Sequence, residues 1–329
     1  MTKKLFIVCA ALVWTVALVA QNISVVAANG STKLYRTLQA AIEGADPNSV
    51  IYLPGGGFPI ADSVKITKKL TIIGIGHKAK NENADGITLI NGNLFFNEGS
   101  SDSAVMGCYI TGSINIGCDG TAVNDVLIKY CDVGDVVIYK QSSTGTIINQ
   151  NYIRSKLGTL GNLYNASAEI TNNVVRYIYC INGGIISNNI ITGTSANSLS
   201  YVTNSVVSNN IFLKNSTASI LYYCSNNSYD GNMGWENISE DGNFTNMSTK
   251  ERNDVFVNYN GGAISPASDF HFKDEYKQYE NQVGVYANGV DFDKQMAPAP
   301  YIVAKHIDDH TDASGKLNIK IRVKASGEE

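Results

Sequence analysis

The feature that most constrains this chain is a short phrase repeated between Ile147 and Phe212. It reads Ile-Ile-Asn-Gln-Asn-Tyr-Ile (147–153), Glu-Ile-Thr-Asn-Asn-Val-Val (169–175), Ile-Ile-Ser-Asn-Asn-Ile-Ile (185–191) and Val-Val-Ser-Asn-Asn-Ile-Phe (206–212). Degenerate copies occupy 104–110, 127–133 and 228–234. Aligned on the fifth position, the column runs Cys108, Cys131, Asn151, Asn173, Asn189, Asn210, Asn232, in steps of 23, 20, 22, 16, 21 and 22 residues. A fixed period of this size is the mark of a stacked repeat architecture. In each copy an apolar pair, commonly β-branched, leads into polar turn formers and then a second apolar pair, which reads as strand, bend, strand.

A third apolar piece carrying a Tyr lies between copies: Val136–Tyr139, Leu160–Tyr164, Tyr177–Tyr179, Leu199–Tyr201 and Ile220–Tyr223. Two or three short strands per ~22 residues, with no helical period between them, fit one coil of a parallel β-helix. The fold expected is therefore all-β, a single parallel β-helix with an N-terminal capping helix and a C-terminal strand cap. The column asparagines then have a physical role. An amide that points into a bend is cut off from water and needs partners. Asn carries both donors and an acceptor, so Asn151, Asn173, Asn189 and Asn210 are expected to bond to one another as a ladder. Cys108 and Cys131 continue the same column with small apolar side chains.

The ends fit an open solenoid, which has to be capped. Leu34, Leu38, Ala41 and Ile42 share one helical face, and Asp46-Pro47-Asn48-Ser49 stops that helix. At the other end Leu317, Ile319, Ile321 and Val323 alternate strictly with Asn318, Lys320, Arg322 and Lys324, so residues 297–329 are expected to hold a cap or a strand lying against the last coils.

The N-terminus addresses the compartment. Lys3 and Lys4 precede an apolar run from Leu5 to Ala20, followed by small residues at Ala20 and at Ala27–Ala28. This pattern reads as a secretory signal within residues 1–28, or as an N-terminal anchor if it is not cleaved. The expected location is periplasmic, cell-surface or secreted. Residues 29–296 then hold the β-helix and its N-terminal cap. The formal net charge is -4, and losing Met1–Ala20 with its two lysines makes it -6. That gives no basic footprint for nucleic acid. The five cysteines outside the signal (Cys108, Cys118, Cys131, Cys180, Cys224) contain no CxxC pair and do not cluster with the histidines. They read as buried small residues with no disulfide required, and no metal site is expected.

Tyr35-Arg-Thr-Leu-Gln-Ala-Ala-Ile, Ile51-Tyr-Leu-Pro-Gly-Gly and Lys69-Leu-Thr-Ile-Ile-Gly-Ile-Gly resemble the opening of secreted pectin-lyase-like right-handed β-helix proteins. The Ser-Asn-Asn-Ile-Ile copies are similar to the later coils of that group, and Asp269-Phe-His-Phe with Gly284-Val-Tyr286 to its closing coil. The resemblance spans roughly residues 31–290. It implies the fold and leaves the activity open, because the group includes lyases, glycosidases, esterases and non-enzymes. The implied partner is an extracellular, acidic polysaccharide acted on by a monomer, as a lyase or glycoside hydrolase. No cofactor is expected, except calcium if the chain is a lyase. The signatures of polygalacturonases and pectinesterases are missing, as is an acidic cluster of the calcium-binding kind.

Two constellations remain as candidate sites. Arg154 and Arg176 each lie three residues after a column Asn, so they should stack in adjacent coils about 5 Å apart, with Glu169 nearby in sequence. They form either a site for a sugar carboxylate or a solvated surface pair with a local counter-ion. The tyrosines Tyr139, Tyr164, Tyr179, Tyr201 and Tyr222 form either a flat ladder on which sugar rings stack or a packing device. Asp119, Asp125, Asp132 and Asp135 make a weaker acidic group that also reads as turn formers. Two function classes therefore stay open, an exported polysaccharide enzyme and a non-catalytic glycan-binding or structural surface protein.

Overall fold

The computed structural model describes residues 22–292 and 301–324, apart from 63, 78–85, 140–142, 160–165, 194–196, 214–218, 260–267, 308–310, 312–313 and 317–318. It is a parallel β-solenoid of about eight turns. One sheet stacks Ser49–Tyr52, Leu70–Ile73, Ala104–Met106, Leu127–Lys129, Thr146–Asn149, Ala168–Thr171, Ile185–Ser187, Val206–Ser208 and Ser228–Asp230 in parallel register. A second sheet stacks the strand that follows the bend in each coil, from Gly56–Pro59 to Thr245–Asn246. A shorter third face pairs Leu199–Ser200 with Tyr179 and its predecessor on one side and with Leu221–Tyr222 on the other.

The interior follows from the period of two along each strand. The middle residues of the first sheet form one inward column, Ile51, Ile72, Val105, Ile128, Ile148, Ile170, Ile186 and Val207, all fully buried. The second sheet answers with Ile90, Ile110, Val133, Ile153, Val175, Ile191 and Phe212, likewise buried. β-branched side chains suit such columns, since their stiff rotamers pack on identical neighbours above and below.

The N-terminal end is closed by antiparallel pairing and one helical turn. β1 (Ile23–Val26) lies between β2 (Thr32–Tyr35) and β3 (Ser49–Tyr52), antiparallel to both. Ile23 and Val25 of β1 are buried in the core. Of the two small-residue sites in the leader, Ala20 lies before β1 and Ala28 after it, so removal of residues 1–28 takes away a strand of the fold. Helix α1 (Leu38–Gly44) is capped by the Thr37 hydroxyl, which accepts from the Ala40 amide at 3.2 Å, and it buries Leu38, Ala41 and Ile42. Leu34, expected on that helical face, lies in β2 and is 61% exposed. The helix starts only at Leu38 because the Thr37 cap fixes its first turn.

After the last coil the chain leaves the solenoid. The described residues of 252–292 do not continue the coils. Phe256–Asn258 and Asp269–Phe272 pair with each other, antiparallel, and the segment folds back along the outside of the second sheet. There it covers the outward column Tyr152, Val174, Ile190, Ile211 and Met233 with Phe256, Phe270, Phe272, Val285, Tyr286 and Phe292. The Gly284 amide donates to the Asn209 carbonyl at 2.9 Å, and Asn172 Nδ2 donates to the Val285 carbonyl at 3.2 Å. Gly284 has φ +74, and a Cβ there would meet Ile211 Cδ1 at 2.5 Å, so the close approach requires glycine. The reading of Asp269-Phe-His-Phe and Gly284-Val-Tyr286 as a closing coil is thus corrected to a lateral flank. The last alternating strand, Ile319–Lys324, pairs antiparallel with Tyr301–Ile307 as a separate hairpin, and among the described residues neither strand joins the solenoid sheets. No helix among the described residues is long and apolar enough to cross a membrane.

Candidate functional site

The predicted asparagine column is present and continuous. Asn151 Nδ2 donates to Asn173 Oδ1 at 2.9 Å, Asn173 Nδ2 to Asn189 Oδ1 at 3.1 Å, Asn189 Nδ2 to Asn210 Oδ1 at 3.0 Å and Asn210 Nδ2 to Asn232 Oδ1 at 3.0 Å. Each Oδ1 also accepts the backbone amide of the preceding column residue, starting with Cys131. The first Asn of each Asn-Asn pair has its own reason. Asn172, Asn188 and Asn209 sit at φ 55, 57 and 54, a left-handed conformation that Asn tolerates better than most residues. The ladder ends on a residue the sequence did not single out. Asp241 is buried, its Oδ2 accepts from Asn232 N and Nδ2, and its Oδ1 accepts from the Gly231 and Asn243 amides.

The arginine constellation does not assemble as expected. The backbone places Arg154 and Arg176 one coil apart, just after the paired residues Ile153 and Val175. The Arg154 guanidinium, however, turns towards the preceding coils. It forms an ion pair with Asp132, donates to the Ile110 carbonyl at 2.6 Å and to the Thr111 carbonyl at 3.1 Å, and lies 4.7 Å over the Tyr109 ring. A bulge between Ile153 and Lys156 permits that turn. Glu169 is exposed on the first sheet, in register with Ile147 and Ile185, whereas both arginines belong to the second. The three residues therefore do not meet in one cluster. The acidic group dissolves in the same way. Asp119 accepts from the Glu98 and Thr121 amides, and Asp135 accepts from the Lys156 amide. Desolvation pushes the Asp119 carboxyl up, but the backbone donors together outweigh it and hold the carboxyl below its ordinary value. Among the described residues no group of three or more His, Cys, Asp or Glu side chains is placed to hold a metal ion.

The tyrosines divide. Tyr164 lies outside the described residues. Tyr139 hydrogen-bonds Asn115 Oδ1 at 3.2 Å, and Tyr179 packs on Tyr177 with ring centroids 6.2 Å apart. Burial raises the Tyr179 phenol to about 12, helped by Cys180, Tyr177, Asp135 and Tyr139. These two behave as packing residues. Tyr201 instead joins Tyr222 and Tyr223 in a compact cluster. Tyr201 and Tyr223 stack at 5.3 Å with planes 10° apart, and Tyr222 meets both edge-on, at 5.7 and 4.4 Å. Tyr223 is 69% and Tyr222 42% exposed.

The chain matches no protein family, no characterised protein and no solved structure. The site reading therefore stands on the side chains alone. Tyr223, which carries most of the open ring surface, was legible only as the last residue of an apolar piece. The available signal was register. Tyr222 follows Leu221, which pairs with Leu199, so Tyr223 falls one coil above Tyr201. Both occupy left-handed bend positions, at φ 54 and 48.

Proposed function

We propose that this chain is an exported, non-catalytic β-solenoid of the pectin-lyase-like kind that binds extracellular polysaccharide through the Tyr201–Tyr222–Tyr223 cluster. The observation that carries the reading is a cluster of three mutually packed phenol rings, with Tyr222 and Tyr223 exposed and Tyr201 half-buried beneath them. Buried aromatics are ordinary core material, but large rings left in water lose the hydrophobic gain that burial brings and mark a surface that another molecule covers. Sugar rings offer flat apolar faces bordered by hydroxyls, and a rigid phenol platform meets them with little loss of side-chain freedom.

Export is part of the proposal and rests on the Lys3–Ala20 leader. The non-catalytic assignment rests on Arg154, which is committed to Asp132 and two carbonyls, and on the separation of Glu169 from both arginines. Affinity electrophoresis through gels carrying individual polysaccharides tests the reading. The parent should be retarded by at least one of them, and Tyr222→Ala with Tyr223→Ala should remove the retardation. A parent that no polysaccharide retards ends the proposal, as does release of unsaturated uronate from any of them.

A further inference from the structure

The surroundings of the tyrosine cluster carry more than its rings do. From Tyr177 to Tyr229 the sequence contains one charged residue, Lys214, which lies outside the described residues. At the chain average of 16% charged, a run of this length holds about eight. The described coils around the cluster therefore contain no Asp, Glu, Lys, Arg or His between Tyr177 and Tyr229. Just past the bend that carries Tyr201 and Tyr223, Asn182, Thr203 and Ser225 form successive backbone bridges, and all three are at least partly exposed. At the next position Asn204 and Asn226 occupy left-handed bends, and Asn204 Nδ2 donates to Asn182 Oδ1 at 2.7 Å. The Tyr222 phenol is raised above its ordinary value by burial and by the Tyr223 and Tyr201 rings, so it stays neutral in any physiological medium.

We infer that the ligand of this platform is an uncharged glycan, bound by ring stacking on Tyr201, Tyr222 and Tyr223 with hydroxyl and amide contacts from Thr203, Asn204 and Ser225. The inference rests on the polysaccharide reading above and narrows it, against the acidic ligand that the resemblance implied. The physical reason is desolvation. A uronate carboxylate laid against three rings loses water and finds no cation among the described residues from Tyr177 to Tyr229 to replace it, which is costly, whereas a sugar hydroxyl needs only one donor or acceptor. Asn, Ser and Thr side chains supply both.

The test uses the full exported chain and isothermal titration with two sets of oligosaccharides at low and high salt. The neutral set is cello-, xylo- and manno-oligosaccharides, and the acidic set is oligogalacturonate and oligoalginate. A neutral oligosaccharide should bind with an affinity that salt does not change, because no ion pair is present to screen. Tyr222→Ala with Tyr223→Ala should weaken it roughly tenfold or more, with an unchanged unfolding midpoint. Ser225→Lys, at an exposed position just past the Tyr223 bend, should create salt-sensitive oligogalacturonate binding that the parent lacks. Tyrosine-dependent, salt-sensitive binding of an acidic oligosaccharide by the parent overturns the inference and leaves the polysaccharide reading intact. Binding of no oligosaccharide overturns both. So does a dimer in sedimentation that the tyrosine substitutions dissociate, since the face would then belong to a second copy.

Discussion

At the residue scale the fold depends on amides and one carboxylate that cannot reach water. Asn189 is fully buried, accepts the Asn173 amide and side chain, and donates to the Ile170 carbonyl at 2.8 Å and to Asn210. Asn189→Leu leaves donors above it and an acceptor below it unpaired, and should cost about 1–3 kcal/mol in urea unfolding. Asp241 is a sharper case. Both of its oxygens face N–H donors, four in all, so an amide can satisfy only one side. Asp241→Asn should therefore destabilise by about 1–3 kcal/mol despite its identical shape, and an unchanged urea midpoint would show that the ladder needs no anionic end. Cys131 adds a pH dependence. Burial pushes its thiol from 9.0 to about 12. Its contribution to stability is thus complete below pH 9 and is lost as pH rises from 9 to about 12. Urea midpoints measured across that range should fall less steeply in Cys131→Ala than in the parent.

At the element scale, the coils are held together by register and by how closely their backbones approach. Gly158, at φ +145, faces the next coil so closely that a Cβ would stand 1.8 Å from the Tyr179 carbonyl oxygen. Gly158→Ala should part Tyr152–Thr159 from Val174–Tyr179 and cost about 1–3 kcal/mol, with faster hydrogen exchange at the Leu157 and Ile178 amides as the local sign. The Arg154 ion pair belongs to this scale too, because it ties three successive coils through Asp132, Ile110 and Thr111. Arg154→Ala should lower stability by roughly 1–3 kcal/mol, which a solvated surface arginine would not do. Thermal melts of Arg154→Ala beside the parent read this directly.

At the scale of the whole molecule, the solenoid is closed by different means at its N-terminal end and along one side. β1 seals the first coil, so if the leader is cleaved as proposed, the remaining chain should begin upstream of Ile23, and N-terminal sequencing of that form reads this directly. A chain started at Asn29 lacks Ile23 and Val25 and should melt at a lower temperature, since two buried apolar side chains contribute about 1.5–3 kcal/mol each. The flank of residues 252–292 covers the outward side of the second sheet, the surface where the sequence had placed its arginine site. The third face, with its tyrosines, and the outward side of the first sheet, with Glu169, Ile185 and Val206, stay open in the later coils.

The sequence alone was enough for the solenoid, because a parallel coil repeats one backbone conformation and so prints a period in the chain. The Asn column, the left-handed Asn before it and the inward Ile and Val all follow from that period. Everything that depends on where a long side chain turns, or on segments far apart in the chain, was decided by the tertiary structure. Arg154 and Arg176 have the spacing of a pair, but a bulge and the buried Asp132 carboxylate draw Arg154 towards the opposite coil. Leu34 has the spacing of a helical face, but pairing with β1 makes it part of a strand. The flank has no period at all. Its place is set by the fit of Phe256, Phe270 and Phe292 to an apolar column that only exists once the coils have stacked.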